Sequence, residues 1–332
     1  MGMLVWQNEL QLNAPSVKGL QFVSTHIPVL VEPLLRLTKP CDGRLDRVID
    51  GTLGAGGHTR ALLQAGAGAV LAFDLDASAI EIARRNLAPY LERVTVAQTS
   101  YVDMRAVACQ RGWREVDAII LDLGLSSMQL DDPARGFAFR HEGPLDMRFD
   151  ALNDGVTAEK LVNSLPKKDL AELFFRYGEE KAAGKIADAI VARRPIRRTS
   201  ELASLIKTVV PKRRRMTKLH PATKVFQALR IAVNRELESL EKALPIAVDL
   251  LRPGGKLAVI SFHSLEDRIV KRSFRDLAAE VVAPPGMASI EEKRALVKLV
   301  NRRPIVPGDK ELSSNPRSRS AKLRVVEKLK FD

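Results

Sequence analysis

Asp50-Gly51-Thr52-Leu53-Gly54-Ala55-Gly56-Gly57 closes a β-branched run that begins at Arg47, and Asp74 closes a second apolar run, Ala69 to Phe73, soon afterwards. Glycines at a strand-to-helix turn can take positive φ and bring backbone N–H groups close to a ligand, while an acid ending the next strand can accept both hydroxyls of a ribose. Together they open a nucleoside-cofactor fold. The glycine spacing separates the possible nucleosides, because each puts different charge at the turn. A dinucleotide fingerprint G-x-G-x-x-G beginning at Gly54 requires glycine where Thr59 stands, and a Walker A loop requires Gly-Lys-Ser/Thr where Gly57-His58-Thr59 stands. Both phosphate motifs fail. A carboxylate at Asp50, directly before the glycines, repels pyrophosphate and suits a cationic sulfonium with an amino-acid tail, so the charge favours S-adenosylmethionine over NAD. An NAD-type dinucleotide oxidoreductase stays as the alternative, as does a glycine turn that binds nothing.

The elements that must position these residues alternate as a doubly wound sheet requires. Ala77 to Leu87 reads as a helix, Val94 to Thr99 as strand three, and Val116 to Gly124 as a buried fourth strand ending in Asp122-Leu123-Gly124. Far downstream, Glu236 to Leu251 is an amphipathic helix stopped by Arg252-Pro253-Gly254-Gly255. Lys256 to His263 follows as strand five, Leu265 to Leu277 as a helix, and Ala321 to Lys328 as a final strand antiparallel to its neighbour. More than a hundred residues between strand four and Glu236 are too many for a loop and form an inserted unit. Its helices are Thr157 to Asn163, Asp169 to Tyr177, Gly184 to Arg193, Ser200 to Val209 and Thr223 to Val233, punctuated by Pro166, Pro195, Pro211 and Pro221. The expected architecture is α/β, a doubly wound and mostly parallel sheet with an inserted helical domain. Residues 1–24 form a weakly ordered tail, 25–129 with 236–332 the cofactor domain, and 130–235 the insert, which would select substrate.

Composition narrows the classes. Of 332 residues 45% are hydrophobic, enough for a sizeable core. Cys41, Cys109 and five histidines offer neither a disulfide framework nor metal-ligand spacing, since His141 fails as His-Glu-x-x-His, so no metal is expected. No apolar run approaches the roughly 20 residues that span a bilayer and no basic-then-apolar leader is present, which predicts a cytoplasmic protein. The net charge is +13, and between Arg193 and Arg235 thirteen lysines and arginines face one acid, Glu201. Lys212-Arg213-Arg214-Arg215 with Lys218 reads as a loop contact to phosphates, and a second basic zone combines Arg317-Ser318-Arg319 with Lys322 and Arg324. The alternative is that both are ordinary solvated faces. Aromatics total 5%, too few for a stacking platform, so binding would rest on backbone charge and shape. A non-catalytic RNA-binding protein on a methyltransferase-like fold is therefore a further alternative.

Longer motifs then converge on one family. His26-Ile27-Pro28-Val29-Leu30, the Asp50 to His58 turn, Asp122-Leu123-Gly124-Leu125-Ser126-Ser127 and Gln129-Leu130-Asp131 occur in order. They are followed by Arg135-Gly136-Phe137, Gly143-Pro144-Leu145-Asp146-Met147-Arg148, Tyr177-Gly178-Glu179-Glu180, His220-Pro221-Ala222-Thr223, Ser261-Phe262-His263-Ser264 and Asn315-Pro316-Arg317-Ser318-Arg319. From about residue 25 onward the chain resembles the ribosomal small-subunit methyltransferase H (MraW) family. The resemblance implies a seven-stranded class I methyltransferase sheet and S-adenosylmethionine-dependent methylation of the N4 of a cytidine in the decoding region of 16S rRNA, within the small subunit. It leaves a monomer or a homodimer open. Carried over, its cofactor contacts fall on Gly56, Gly57, His58, Asp74, Tyr101, Asp122 and Gln129. Tyr101, where the family often has Phe, would cover the adenine face.

The cytosine amine is a poor nucleophile because its lone pair is delocalised into the ring, so the enzyme must supply an acceptor for the amino protons and hold the nitrogen in line with the methyl. Many amino methyltransferases use Asp/Asn-Pro-Pro-aromatic after strand four. Here Asp122-Leu123-Gly124-Leu125 stands instead, and the catalytic candidates become Asp146, in its Leu-Asp-Met-Arg turn, and His263, at the mouth of strand five. Asp146 could equally be paired with Arg148. A base flipped from folded RNA could be received by Phe137, Phe139 or Phe149, which are otherwise core residues.

Overall fold

The computed structural model describes residues 27–152, 154–210, 220–280 and 294–330. The tail 1–24 and the basic residues Lys212, Arg213, Arg214, Arg215 and Lys218 lie outside them. In chain order the elements begin α1 (Val31–Thr38), β1 (Arg47–Asp50), α2 (Gly57–Gln64), β2 (Ala69–Asp74), α3 (Ala77–Asn86), β3 (Val94–Gln98), α4 (Met104–Gln110), β4 (Val116–Asp122) and α5 (Ser127–Asp131). Among the described residues there follow α6 (Ala158–Ser164), α7 (Lys167–Gly178), α8 (Ala183–Arg193), α9 (Thr199–Val209) and α10 (Thr223–Asn234). The chain continues with α11 (Glu236–Leu250), β5 (Leu251–Ser261), α12 (Ser264–Leu277), β6 (Val297–Leu299), α13 (Asp309–Ser314) and β7 (Lys322–Lys328).

The chain divides into two compact units, one of Met1–Gly124 with Ser239–Asp332 and one of Leu125–Glu238. The first is built on a seven-stranded sheet of order β3-β2-β1-β4-β5-β7-β6. Strands β1 to β5 are parallel, and β7 runs antiparallel to both β5 and β6. Successive side chains of a strand point to opposite faces, and both faces here are covered, so the strands read as unbroken apolar runs. Ile49, Leu71, Phe73, Ile119, Leu121 and Val259 pack with Leu244 and Val248 of α11 and with Val270 and Phe274 of α12. Val48, Val70, Ala72, Ala118, Ile120 and Ile260 pack on the other face with Leu34, Leu62 and Ala83 of α1, α2 and α3. The connections run from β1 outward through β2 to β3, then return to β4 on the opposite side of β1, and a parallel sheet offers its ligand crevice at that reversal, outside the carboxyl ends of the strands.

Strand five departs from expectation. It starts at Leu251 and carries Pro253-Gly254-Gly255 within it, instead of beginning at Lys256. The pairing steps from Val116↔Leu251 to Ala118↔Lys256, so the extra residues bulge out of the ladder. Gly255 allows this because a Cβ there would sit 2.9 Å from the Arg252 carbonyl oxygen and 3.1 Å from those of Val116 and Asp117.

The second unit is helical, and its core draws Val162, Leu170, Phe174, Ile186, Ile190, Leu202, Ile206, Phe226 and Leu229 from α6 to α10. A hydrogen-bonded loop, residues 135–149, docks on it. Arg135 Nη2 donates to the carbonyls of Arg148 and Phe149, and Asn234 donates to the Met147 carbonyl while accepting the Phe149 N–H. These bonds hold Met147, fully buried, at a left-handed φ of 63°. No described helix is long and apolar enough to cross a membrane.

Candidate functional site

At the end of β1 the Gly51 N–H donates to the Ile120 carbonyl of β4, and a Cβ at Gly51 would lie 2.4 Å from Leu121 Cδ2. The chain then turns through Gly54 at φ 50° and Gly56 at φ 82°, the residue that caps α2. Asp50 is fully buried. Its carboxylate accepts the Thr59 hydroxyl at 2.7 Å and the Thr52 N–H at 3.1 Å, which ties the turn to the first turn of α2. Burial pushes its carboxyl above the ordinary value, opposed by those hydrogen bonds and by His58. The charge that sequence reasoning placed at Asp50 is therefore internal, and the acids left at the edge are those of β2 and β4.

Asp74 ends β2 with one oxygen accepting the Gly54 N–H at 2.8 Å and the other the Asp76 N–H at 2.9 Å. Burial raises its pKa from 3.8 to about 6 against the pull of those two N–H groups. Asp122 ends β4, and its backbone N–H donates to Thr52 Oγ1 at 2.6 Å. Its Oδ2 lies 3.5 Å from His58 Nδ1, and its Oδ1 is the one buried carboxylate oxygen among the described residues with no hydrogen-bond partner. Burial raises this pKa to about 6 as well, with His58 opposing and Asp50 and Glu266 adding to the rise. His58 Nε2 sits 2.9 Å from the Val29 carbonyl oxygen. A carbonyl only accepts, so Nε2 carries the donated proton and Nδ1 faces Asp122. Gly57 packs on Pro28, 3.0 Å from where its Cβ would be. Tyr101 opens a 3₁₀ turn after β3, beside Gly51.

The structure thus gathers Gly56, Gly57, His58, Asp74, Tyr101 and Asp122 on the carboxyl edge of one sheet, linked by hydrogen bonds through Gly54, Thr52 and Val29. Thr52, Thr59 and the Val29 carbonyl escaped sequence reasoning, and Thr59 alone carried a local sign, a hydroxyl in the first turn of the helix after an acid. Gln129 belongs to the helical unit, where its Oε1 accepts the Ser126 N–H at 3.1 Å in a capping box on α5.

Both catalytic candidates have structural partners, although His263 Nε2 is buried without a hydrogen bond. Asp146, also in the helical unit, accepts from Arg148 Nε at 2.9 Å and Nη2 at 2.7 Å and from the Arg148 N–H at 3.0 Å. Burial pushes its carboxyl up, and the Arg148 hydrogen bonds and charge overcome that and hold it below the ordinary value, which weakens it as a base. His263 caps α12: Nδ1 accepts the Glu266 N–H at 3.4 Å and Nε2 lies 3.1 Å from Glu266 Oε1. Glu266 in turn accepts the N–H groups of Phe262 and His263. Phe137 is buried beside Phe149 at a ring separation of 5.7 Å, and Phe139 packs 4.6 Å from His220 and 5.0 Å from Phe226.

Several expected basic contacts have structural partners. Arg317 and Arg319 are exposed on a turn, Pro316–Ser320, but Lys322 and Arg324 share Asp267 at 3.2 and 2.7 Å, and Arg324 is buried. That zone is smaller than its sequence suggested. Within the insert, Arg194 donates to the carbonyls of Val162 and Leu165, Lys224 to that of Glu179, Arg230 grips Glu236 and Arg235 grips Glu238.

A seven-stranded sheet in this order, with β7 reversed and acids at the ends of β2 and β4 beside a glycine turn, defines a class I methyltransferase fold. Residues 23–329 match the MraW methylase family, and the chain belongs to it. It is 49% identical over 315 residues to the ribosomal RNA small subunit methyltransferase H of Thermomicrobium roseum, covering 93% of this chain and 95% of that protein. The protein of the same name from Geotalea uraniireducens is 47% identical over 310 residues, covering 92% and 98%.

Proposed function

We propose that this protein transfers a methyl group from S-adenosylmethionine to the N4 of a cytidine in the decoding region of 16S rRNA, within the small ribosomal subunit. The reading is supported most by one observation: two partly buried acids, one with a buried oxygen that has no hydrogen-bond partner, flank a glycine turn with no lysine for phosphate. Such a site suits a cation and is hostile to a pyrophosphate, which disfavours the oxidoreductase. The backbone at Gly56 and Gly57 admits the methionine moiety, Asp74 accepts the ribose hydroxyls, Tyr101 covers the adenine face, and Asp122 and Gln129 are the residues for polar edges or the cationic amine. S-adenosylmethionine supplies an electrophilic methyl on a sulfonium.

The chain's own task is then to make the amine nucleophilic. Asp146 is held by Arg148 and His263 caps a helix, whereas Asp122 stands at the end of β4 beside the glycine turn, so the acceptor role passes to Asp122, whose open Oδ1 takes a hydrogen bond from the N4 amine and its proton as the carbon–nitrogen bond forms and the methyl–sulfur bond breaks. The helical insert recognises the substrate, with Lys212, Arg213, Arg214, Arg215 and Lys218, and with Arg317 and Arg319 on the other unit, meeting phosphates.

Incubating the protein with methyl-tritiated cofactor, unmodified small subunits and naked 16S rRNA, then mapping the labelled nucleoside by mass spectrometry, tests the reading. N4-methylcytidine in either substrate is the expected product. Label in neither, with RNA still bound, would leave a non-catalytic binder and end the proposal.

A further inference from the structure

Helix α12 leaves the carboxyl end of β5 and buries Leu265, Val270 and Phe274 against the sheet. Its opposite side exposes Arg268, Lys271, Arg272 and Arg275. Those positions are spaced i, i+3, i+4 and i+7, so the four side chains form one row over about 10 Å of helix. Arg268 with Arg272, and Lys271 with Arg275, are like-charged pairs at i, i+4, an arrangement that weakens a helix. Elsewhere the chain does the opposite: α3 sets Glu81 against Arg85 and α7 sets Glu172 against Arg176. Asp267, four residues before Lys271, is taken up by Lys322 and Arg324, and Lys271, Arg272 and Arg275 are exposed. A helix that keeps self-repelling charge on one face is built for an external polyanion.

The row also starts in a telling place. Lys322 pairs with Ser261 at the carboxyl end of β5, and the exposed Arg317 and Arg319 stand just before it. Two basic segments therefore meet at the sheet edge that carries Asp74 and Asp122. A membrane surface fits less well, because the apolar side of α12 is buried in the core and offers nothing to insert between lipids. We propose that Arg268, Lys271, Arg272 and Arg275 form an RNA-phosphate track that starts beside Arg317 and Arg319 at the carboxyl edge and leads away from it down α12, holding rRNA that flanks the transfer site. The proposal rests on the rRNA reading above.

The test compares the full-length wild type with Lys271→Gln/Arg272→Gln/Arg275→Gln and with Arg84→Gln/Arg85→Gln, a control on α3 at the other end of the sheet. Glutamine keeps helix propensity at these exposed positions, and unchanged S-adenosylmethionine affinity verifies the fold of each variant. Affinity for unmodified 16S rRNA is measured against salt concentration. Each lost phosphate contact lowers the slope of log affinity on log salt by about 0.7 to 0.9, so the triple variant loses about 2 to 3 in slope while the control keeps the wild-type slope per remaining contact. A triple variant with wild-type slope, or a control that loses as much per charge, overturns the track and leaves the proposed activity standing. Loss of binding to anionic phospholipid vesicles with the RNA slope unchanged overturns it in favour of a membrane. If the wild type binds no rRNA, both readings fall together.

Discussion

Raising the pH through 6 should tighten the binding of S-adenosylmethionine, because a cation must expel the protons that burial keeps on Asp74 and Asp122. Both carboxyls are raised from 3.8 to about 6, roughly two units each, and one unit corresponds to 1.36 kcal/mol. In the free protein the sign is unfavourable to folding. Between about pH 4 and 6 the folded chain holds protons that the unfolded chain has lost, so stability falls as pH rises across that window and the full cost, about 3 kcal/mol per carboxylate, stands above it. A sulfonium beside the acids reverses the term by favouring the ionised forms. A ligand that returned either carboxyl to its ordinary value would gain up to roughly 100-fold in affinity between about pH 4 and 7, and in practice 10-fold for each unit recovered. His58, Asp50 and Glu266 face Asp122, and Asp76 and Asp50 act on Asp74, so Asp122→Asn and Asp74→Asn separate the two contributions. Isothermal titration from about pH 5 to 8, in buffers of differing ionisation enthalpy, reads affinity and proton release together. S-adenosylhomocysteine, which lacks the sulfonium charge, serves as the comparison and should show the shallower pH dependence. Equal, flat profiles for both ligands would refute the electrostatic reasoning, and an affinity for NAD that exceeded both would replace the cofactor.

Asp74→Ala should abolish cofactor binding while changing the urea midpoint little, since the two lost backbone hydrogen bonds, about 1.5 to 3 kcal/mol each, are offset by removal of a costly buried charge. Wild-type affinity in that variant would contradict the ribose role. Thr59→Val removes the 2.7 Å bond to the fully buried Asp50 and should cost about 1 to 3 kcal/mol in chemical denaturation, with a midpoint equal to wild type as the contrary result. Gly136→Ala would set a Cβ 2.0 Å from the Pro144 carbonyl oxygen at φ 70°, so a loss on the order of 3 kcal/mol is expected, measured by urea unfolding of the full chain. A soluble variant of unchanged stability would show that the loop 135–149 yields more easily than its hydrogen bonds imply.

What the sequence made legible was local. Strands β1 to β4 stood out because a sheet covered on both faces needs uninterrupted apolar residues, and the helices of the insert stood out by their 3.6-residue period. Glycines and acids at strand ends marked the edge for the same reason, since each sits within a few residues of the element it terminates. What stayed hidden depended on partners far along the chain. Thr52 meets Asp122 across 70 positions, and Arg324 reaches Asp267 across 57. Counting charges therefore overstated the second basic zone, and an acid's position before a glycine turn credited Asp50 with an exposure it does not have. β6, three residues long, carries too little pattern to be seen at all.

The hidden contacts are also those that turn separate motifs into one device. Thr52 ties the first turn to the end of β4, Gly54 ties it to the end of β2, and His58 joins α2 both to Asp122 and to the Val29 carbonyl. Each bond spends part of a polar group's capacity, and among the described residues Asp122 Oδ1, Arg135 Nε and His263 Nε2 are the buried side-chain atoms left over, Asp122 Oδ1 being the carboxylate oxygen. An unpaired buried oxygen is costly to a folded chain, on the order of 1 to 3 kcal/mol, and persists only where something outside the chain completes it. The cost falls on the strand end where burial also opposes ionisation against the pull of His58. Both deficits are relieved by one kind of visitor, a positively charged group or an N–H donor, which is why the chemistry of the edge points toward a cationic methyl donor and an amine acceptor instead of toward phosphate.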